Sequence, residues 1–255
     1  MYWIHKRLLS QNFLINRGLL KKLIRDSSIS KNDIVLDVGA GTGVITQELA
    51  KMSKKVIAIE IDRNLINQIE KNINIEIVSK DFLKYELPKF AYKVFANIPF
   101  SVTNEIIRKL VGDKNSPIDC YLMVQKEAAE KFCIKNLVNN MTAILYFPWW
   151  DIKVIHTFKR DDFYPLPKVD CVLLNIKKRT NPIINTDDKA RYFDFVAHEF
   201  KYKRKAKYIK INDWLNNFKN LQADSIKGSY SKLSKEQKQL KKIHRTRLDK
   251  GWRRF

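Results

Sequence analysis

A chain of 255 residues, of which 45% are hydrophobic, can bury one substantial core, and this excludes a disordered protein. The formal net charge of +22 indicates a polyanionic partner, most often nucleic acid. Residues 201–255 carry 18 Lys and Arg against 4 Asp and Glu, with few large apolar residues between them, so a membrane surface is the less favoured partner. The sequence has neither a membrane-spanning run nor a signal peptide, and we expect a cytoplasmic monomer.

Short apolar runs alternate with amphipathic stretches up to about residue 176, beginning with a helix predicted at 17–27. The predicted strands are 34–38, 56–60, 75–78, 94–97, 120–124, 152–158 and 171–176. Helices are predicted at 42–53, 63–72 and 104–111. This alternation predicts an α/β fold with a parallel, doubly wound sheet.

The last two predicted strands are joined by residues 159–170, a short connection with two prolines that is typical of an antiparallel pair at a sheet edge. Beyond Pro182 the β patterning ends, and helices are predicted at 187–200 and 205–218. We therefore predict an α/β domain over 1–178 and a small, basic helical domain over 179–255. The Lys-rich residues 229–255 are expected to be partly mobile.

The three cysteines, Cys120, Cys133 and Cys171, lie far apart without C-x-x-C spacing. This pattern favours reduced thiols over a disulfide or a metal site. The four histidines are scattered as well, and no pair has the close helical spacing of a zinc motif. We expect no bound metal.

A glycine-rich loop, residues 39–43, follows the first strand of the predicted sheet. Glycine is needed where the backbone approaches a ligand closely or adopts positive φ. Glu60 ends the next strand, where a carboxylate can accept hydrogen bonds from ribose hydroxyls. The spacing is G-x-G-x-G and not the pyrophosphate-binding G-x-G-x-x-G, which favours a nucleoside cofactor without phosphates. S-adenosylmethionine (SAM) fits, with its sulfonium near Asp37 and Glu60.

Asp81 and Phe82 follow the third strand of the sheet. A carboxylate there can accept a hydrogen bond from the cofactor's adenine amino group, while Phe82 supports the ring. A glycine-rich loop alone also occurs in turns without a ligand. The loop, Glu60 and Asp81 at successive carboxyl ends of strands form a much more specific pattern, because open α/β sheets bind ligands there.

Asn97-Ile98-Pro99-Phe100 ends the fourth strand. An exocyclic amine such as adenine N6 is a poor nucleophile, because its lone pair is delocalised into the ring. Two acceptors, the Asn97 side-chain oxygen and the Ile98 carbonyl, can favour a pyramidal nitrogen, and Pro99 fixes the turn. Phe100 offers a stacking face. The alternative is an ordinary N-x-P turn, which is less favoured behind a SAM-type loop.

A second aromatic candidate is Phe163, in a loop stiffened by Pro165 and Pro167. It could face Phe100 across a flipped base. The alternative is that Phe163 is a core aromatic residue.

Together these motifs resemble the rRNA adenine N6-dimethyltransferases, and among them most the erythromycin-resistance (Erm) enzymes. The resemblance runs from about residue 10 to 170, with a weaker helical tail, and includes residues 11–14 (QNFL), 124–127 (VQKE) and 163–170 (FYPLPKVD). It implies a Rossmann-like class I SAM-dependent methyltransferase domain, with a seven-stranded, mostly parallel sheet and an antiparallel last strand. A small C-terminal helical domain follows.

The resemblance also implies roles for individual residues. SAM would be bound by Gln11, Asn12, Leu14, Gly39, Ala40, Gly41, Gly43, Glu60, Ile61, Asp81, Phe82 and Asn97. The target adenine would be held by Asn97, Ile98, Pro99, Phe100 and Phe163. The family's usual residue at position 100 is Tyr, so Phe keeps the stacking ring and loses any hydroxyl contact.

Two branches of this family differ in their substrate. The housekeeping branch dimethylates two adjacent adenines of 16S rRNA and typically carries Leu after the Asn. The Erm branch methylates one adenine of 23S rRNA, at the macrolide–lincosamide–streptogramin B site, and typically carries Ile. Ile98 and the modest length favour the Erm branch. A non-catalytic RNA-binding or transcription factor is disfavoured, because both the glycine loop and Asn97 are intact.

Basic residues near both ends are the candidates for holding rRNA phosphates. They are Lys6, Arg7, Lys201, Lys203, Arg204, Lys205, Lys207 and Lys210. The alternative for any single lysine is a solvated surface without a partner.

Overall fold

The computed structural model describes residues 12–203, 205–221 and 226–235. The chain divides into two compact units. One comprises the chain up to Cys133 together with Trp150–Thr180, and the other comprises Ile134–Trp149 together with the chain from Asn181 onward. Residues 134–149, which the sequence prediction assigns to the first domain, thus belong to the second unit. Within the described ranges, no helix has the length and apolar character needed to cross a membrane.

The first unit is built on β-strands. They are β1 (Phe13–Leu14), β2 (Ile34–Val38), β3 (Lys55–Glu60), β4 (Ile75–Ser79), β5 (Lys93–Asn97), β6 (Asp119–Gln125), β7 (Trp150–Thr157), β8 (Phe163–Tyr164) and β9 (Cys171–Lys178). Seven of them form one sheet in the order β4-β3-β2-β5-β6-β9-β7. The pairs among β2 to β6 are parallel, whereas β9 runs antiparallel to both β6 and β7. The predicted sheet and its antiparallel edge are confirmed.

The helices of the first unit are α1 (Arg17–Arg25), α2 (Val44–Met52), α3 (Arg63–Ile66), α4 (Thr103–Gly112) and α5 (Lys126–Glu130). Helix α1 buries Leu20, Leu23 and Ile24, as its amphipathic pattern predicts. Buried residues of α1, α2 and the central strands share one hydrophobic core cluster. This core fixes the strand ends at which the candidate site lies.

The predicted helix at 63–72 is wrong in length, because α3 ends at Ile66. The chain continues in tighter turns, with the Gln68 and Ile69 amides donating to carbonyls three residues back. Asn64, Asn67 and Asn72 have low helix propensity, and Ile69 turns inward to lie under Gly43. The short helix α5 was not predicted, since five residues show no helical period.

The second unit contains α6 (Met141–Tyr146), α7 (Lys189–Tyr202) and α8 (Ile211–Lys219), and residues 229–235 are also helical. Its core is aromatic. Tyr192 and Phe195 meet Phe218 and Trp214 edge to face at centroid distances of 5.1 and 5.5 Å. The Tyr192 hydroxyl donates to the Ile144 carbonyl at 3.0 Å, which joins α7 to α6.

The predicted helix at 205–218 is divided into a 3-10 turn, Ala206–Tyr208, and helix α8. Between the two, Ile209 and Lys210 have extended backbone, so the helix does not continue through them. Ile209 is β-branched, which lowers its helix propensity. The partial mobility expected for 229–255 stays a prediction, and residues 236–255 lie outside the described ranges.

Candidate active site

The glycine-rich loop is shaped by backbone that only glycine adopts readily. Gly39 and Gly41 have φ of 72° and 58°. A Cβ at Gly39 would lie 3.4 Å from Pro99, and a Cβ at Gly41 would lie 3.1 Å from the Phe13 ring. The loop thus brings together the turn after β5 and strand β1, which are far apart in sequence.

The Glu60 carboxylate stabilises this loop by accepting backbone hydrogen bonds. Its Oε2 accepts a hydrogen bond from the Gly41 amide at 2.9 Å, and its Oε1 accepts from the amides of Ile61 and Asp62 at 2.7 and 3.0 Å. The residue is only 3% exposed. Because an ionised carboxylate has about four acceptor positions, these three bonds leave about one for a ribose hydroxyl. Ribose binding by Glu60 stays a prediction.

The segment before α1 is bound to the loop between β7 and β9. Strands β1 and β8 pair antiparallel, with Phe13 opposite Tyr164 and Leu14 opposite Phe163. The Asn12 side-chain amide donates to the Pro165 carbonyl at 2.6 Å. We call residues 12–14, which include the predicted SAM-binding residues Asn12 and Leu14, the lid segment; it and the predicted aromatic loop are joined by these hydrogen bonds.

Asp162 adds hydrogen bonds between the segment before α1 and the loop between β7 and β9. Its backbone carbonyl accepts from the Ile15 amide at 2.8 Å, and its Oδ1 accepts from the Asn16 side-chain amide at 2.8 Å. Asn16 also caps α1 by accepting from the Leu19 amide at 3.0 Å. Sequence reasoning missed Asp162. Asn16 could have been identified as a helix N-cap, because it directly precedes an amphipathic helix.

A cavity opens between the glycine loop, β1 and the turn after β5. It is lined by Asn12, Phe13, Leu14, Gly39, Ala40, Gly41, Thr42, Val44, Ile45, Asn97, Ile98, Pro99 and Phe100. Nine of these residues belong to the predicted site, and Phe13 is a lining residue that the prediction did not include. The predicted site residues Gly43, Glu60, Ile61, Asp81, Phe82 and Phe163 do not line this cavity.

The Asn97 side chain has a defined orientation in the cavity. Its Nδ2 donates to the Asn12 backbone carbonyl at 2.6 Å. Because a carbonyl can only accept, the amide nitrogen must occupy this side, and the Asn97 Oδ1 points elsewhere as an acceptor. The lid segment thus selects which end of the Asn97 amide a ligand meets.

Asp37 is a buried carboxyl at the end of β2. Its Oδ2 accepts from the Thr46 hydroxyl at 2.6 Å, while Oδ1 is buried with no hydrogen-bond partner in the described part of the chain. Burial, with a smaller contribution from the Glu60 charge, raises the pKa of Asp37 to about 7. The ionised form is therefore poorly solvated here, and a nearby cation would stabilise it.

Asp81 and Phe82 lie beyond β4 and start a short 3-10 helix. Asp81 caps it by accepting from the Leu83 amide at 3.0 Å. Phe82 is buried, and its ring lies under the Lys109 ammonium, 5.2 Å from the centroid. Lys109 also donates to the carbonyls of Phe82, Leu83 and Tyr85, so α4 fixes this loop. Adenine binding by Asp81 and Phe82 stays a prediction.

The two predicted stacking rings differ in environment. Phe100 is half-buried and lines the cavity. Phe163 is 2% exposed and packs edge to face on Phe158 at 5.2 Å within the core cluster. This burial favours the alternative that Phe163 is a core aromatic residue, and its stacking on a target base stays a prediction. Successive residues of a strand point to opposite sides, so Tyr164, at 70% exposure, is the outward ring of β8.

The predicted phosphate-binding residues within the described ranges are exposed. They are Lys201, Lys203, Lys205, Lys207 and Lys210. Lys203 also forms an ion pair with the buried Glu199 at 2.7 Å. Lys6, Arg7, Gln11 and Arg204 lie outside the described residues. Among the residues that are described, no cluster of His, Cys, Asp and Glu could hold a metal ion.

Comparisons with known proteins agree with this geometry. The pattern of the ribosomal RNA adenine dimethylase family matches residues 4–240. An rRNA adenine N-6-methyltransferase of Bacteroides fragilis is 33% identical over 197 residues, 75% of this chain and 73% of the relative. A ribosomal RNA small subunit methyltransferase A of Fusobacterium nucleatum is 33% identical over 215 residues, 80% of this chain and 81% of the relative.

Solved structures show the same architecture. The 23S rRNA methyltransferase ErmE superposes with a TM-score of 0.70 at 23% identity, covering 82% of this chain and 98% of the other. A dimethyladenosine transferase from Plasmodium falciparum superposes with a TM-score of 0.67 at 30% identity, covering 75% of this chain and 71% of the other. The Rossmann-like methyltransferase fold predicted from the sequence is therefore confirmed.

Proposed function

Because this chain belongs to the ribosomal RNA adenine dimethylase family and is an rRNA adenine N6-methyltransferase, we propose that its substrate is one adenine of 23S rRNA. Methylation at the macrolide–lincosamide–streptogramin B site would then confer resistance to these drugs, since the added methyl group obstructs the drug and removes an N6–H donor. Membership of this family implies the use of SAM as the cofactor.

The residues that line the cavity, together with the buried carboxylates Glu60 and Asp37 behind the glycine loop, fit SAM. The glycine loop borders the cavity with backbone that approaches closely, and Glu60 keeps an acceptor position for a ribose. The unpartnered Asp37 oxygen suits a positive charge nearby. When bound, SAM supplies an electrophilic methyl group on a sulfonium. The first unit would hold the cofactor and the target base, and the basic second unit would hold RNA.

The orientation of Asn97 is the observation that carries the catalytic proposal. With its Nδ2 bonded to the Asn12 carbonyl, the Asn97 Oδ1 is available to accept from an N6 hydrogen. The Ile98 carbonyl is the second proposed acceptor. Together they would favour a pyramidal nitrogen whose lone pair points at the methyl group. The proton can leave after transfer, so catalysis is mostly positioning and electrostatics.

The adenine must reach this site unstacked, because a paired base hides its N6. Phe100 lines the cavity and is the ring that we propose for stacking on the base, an interaction worth about 1–3 kcal/mol. Phe163 supports this region from the core, through β8.

The 23S assignment rests on the Asn97-Ile98 pair, which is the pattern of the Erm branch. The name of the Fusobacterium relative instead favours the small subunit, with 33% identity and 81% of the relative covered. We therefore keep dimethylation of 16S rRNA as the second candidate function.

The two substrates are distinguished by mapping. Protein-free 23S rRNA, 16S rRNA and small-subunit particles are incubated with labelled SAM, and the labelled adenine is located. Label at the macrolide site supports the proposal. Label on the two adjacent adenines of 16S rRNA establishes the second candidate function instead.

A matched pair of variants tests the assignment of roles. Asn97→Ala should abolish methyl transfer with little loss of RNA affinity. Lys205→Gln combined with Lys210→Gln should weaken RNA binding and flatten its salt dependence. These two lysines are preferable to Lys203, whose replacement would leave Glu199 as an unpaired buried charge. Equal losses of RNA affinity in both variants would contradict this assignment.

A further inference from the structure

The second unit carries a surface that combines positive charge with exposed aromatic rings. Residues 201–210 contain six Lys and Arg and no Asp or Glu. Two tyrosines alternate with these charges: Tyr202 is 66% exposed and Tyr208 is 55% exposed. We use the name tyrosine–lysine surface for Tyr202 and Tyr208 with Lys201, Lys203, Lys205 and Lys207.

The exposure of these rings is not explained by packing. Tyr192, Phe195, Trp214 and Phe218 of α7 and α8 are buried, and Phe193 and Phe200 are partly buried. Tyr202 ends α7, one turn beyond the last buried residue of that helix, Glu199. A large ring kept in water contributes little to folding, and it is available to a partner.

The backbone around the two rings is well fixed. The Lys203 amide donates to the Glu199 carbonyl at 2.8 Å, and the Tyr208 amide donates to the Lys205 carbonyl at 2.9 Å. The Lys207 carbonyl accepts from the Asn139 amide at 2.8 Å, and Ala206 is buried. Tyr202 therefore projects from the hydrogen-bonded end of α7, and Tyr208 projects from a hydrogen-bonded 3-10 turn.

Each ring has a lysine ammonium over it. The Lys201 ammonium lies 5.8 Å from the Tyr202 centroid, and the Lys207 ammonium lies 5.0 Å from the Tyr208 centroid. His198 approaches Tyr202 at a centroid distance of 4.7 Å. More than half of each tyrosine stays exposed beside these neighbours. An aromatic face next to an ammonium matches a nucleotide, which offers a flat base next to a phosphate.

From this arrangement we propose that Tyr202 and Tyr208 stack on unpaired bases of the RNA substrate, while the adjacent lysines hold its phosphates. The inference rests on the proposed RNA-binding role of the second unit and makes it more specific. A duplex shields the faces of its bases, so this surface should prefer single-stranded or bulged RNA over a helix.

The test measures the affinity of the full-length protein for two RNAs at several salt concentrations. One is an unstructured RNA of about ten nucleotides, a length typical of single-strand binding sites. The other is a duplex of the same length. Tyr202→Leu and Tyr208→Leu should each weaken single-strand binding by about 5- to 100-fold, with the salt slope unchanged. Tyr202→Phe and Tyr208→Phe keep the ring and should bind almost like the unmodified protein.

The lysines give the matched control. Lys205→Gln combined with Lys210→Gln should weaken binding to both RNAs and reduce the salt slope by about 1.5. Methyl transfer from SAM to full-length rRNA is measured in parallel. If transfer persists while the Leu variants bind single-stranded RNA unchanged, stacking is overturned and the proposed function stands.

Two further outcomes would also overturn the inference. The first is an equal loss of duplex and single-strand affinity in the Leu variants. The second is equally tight binding of poly-L-glutamate, weakened by the same Leu substitutions, since this would show recognition of negative charge without bases. If no rRNA is methylated at all, the proposed function fails, whichever result the short RNAs give.

Discussion

Replacing Asp37 by Asn should stabilise the cofactor-free protein and weaken its binding of SAM. The Asn side chain keeps an oxygen that can accept from the Thr46 hydroxyl, as the Asp37 Oδ2 does now at 2.6 Å. It removes a carboxyl that is completely buried and has a second oxygen without a described partner. The substitution therefore removes a buried ionisable group and conserves the side-chain shape.

The magnitude follows from the pKa of Asp37, which burial, with a smaller contribution from Glu60, raises from 3.8 to about 7. Between these two values the folded protein keeps a proton that the unfolded chain releases, so stability falls as pH rises. The difference of about 3 units corresponds to about 4 kcal/mol, at 1.36 kcal/mol per unit. The amide of the Asp37→Asn variant does not titrate, so the variant lacks this loss.

The assay is denaturant unfolding of the cofactor-free protein and the Asp37→Asn variant at pH 5 and pH 8. The advantage of the variant should be about 3 kcal/mol larger at pH 8, because about 2 of the 3 units lie between pH 5 and 7. Comparing the two pH values cancels any constant effect of the amide. Asp119→Asn is the control: Asp119 is equally buried but has Ser28, Tyr121 and Asn175 as partners, so this change should not stabilise.

Calorimetric titration supplies the functional half of the test. A cation near Asp37 favours its ionised form, so SAM should bind the unmodified protein more tightly at pH 8 than at pH 6. In Asp37→Asn, SAM binding should be weaker and should not change over this range. Two results would show that the Asp37 carboxyl does not titrate as described. One is a stability advantage of Asp37→Asn that is the same at pH 5 and pH 8, and the other is a SAM affinity of the unmodified protein that falls with rising pH.

Two other pairs of substitutions give distinct outcomes. Gly41→Ala and Gly228→Ala both place Cβ at positive φ and should each lower the unfolding free energy by about 1–2 kcal/mol, but only the first crowds Phe13 and should weaken SAM binding in a titration. Phe163→Ala should lower the unfolding free energy by about 3–5 kcal/mol, because the Phe163 ring is buried in the core. Tyr164→Ala should change it by less than about 0.5 kcal/mol, and urea unfolding measures both. Equal SAM affinities of the two glycine variants, or equal losses of stability in Phe163→Ala and Tyr164→Ala, would contradict the described packing.

The predicted site residues that the structure brings to one cavity come mostly from two local segments. The glycine loop, with its strand before and helix after, lies within about twenty residues, and Asn97 to Phe100 is one continuous turn. Their meeting at one cavity follows from the parallel sheet, because the carboxyl ends of β2 and β5 lie side by side. Residue type, period and the predicted parallel sheet were therefore sufficient to bring these segments together.

The parts that the sequence did not predict depend on distant partners. Asn16 and Asp162 are 146 positions apart, and nothing in either residue type indicates that their side chains form a hydrogen bond. Phe163 belongs to an aromatic motif that suggests stacking, but its pairing with Leu14 turns the ring into the core. The orientation of Asn97 likewise depends on the carbonyl of Asn12, which only the folded lid brings within 2.6 Å. Side-chain direction is set by pairing that a single sequence does not encode locally.

We propose that this chain transfers methyl groups from SAM to one adenine of 23S rRNA through Asn97. The most direct measurement is methyl transfer from labelled SAM to protein-free 23S and 16S rRNA, with and without Asn97→Ala, followed by mapping of the labelled base. We predict label on a single 23S adenine at the macrolide site, lost in the variant. Label on the two adjacent adenines of 16S rRNA would contradict the proposed substrate. Label on 23S rRNA that persists in Asn97→Ala would contradict the proposed role of Asn97.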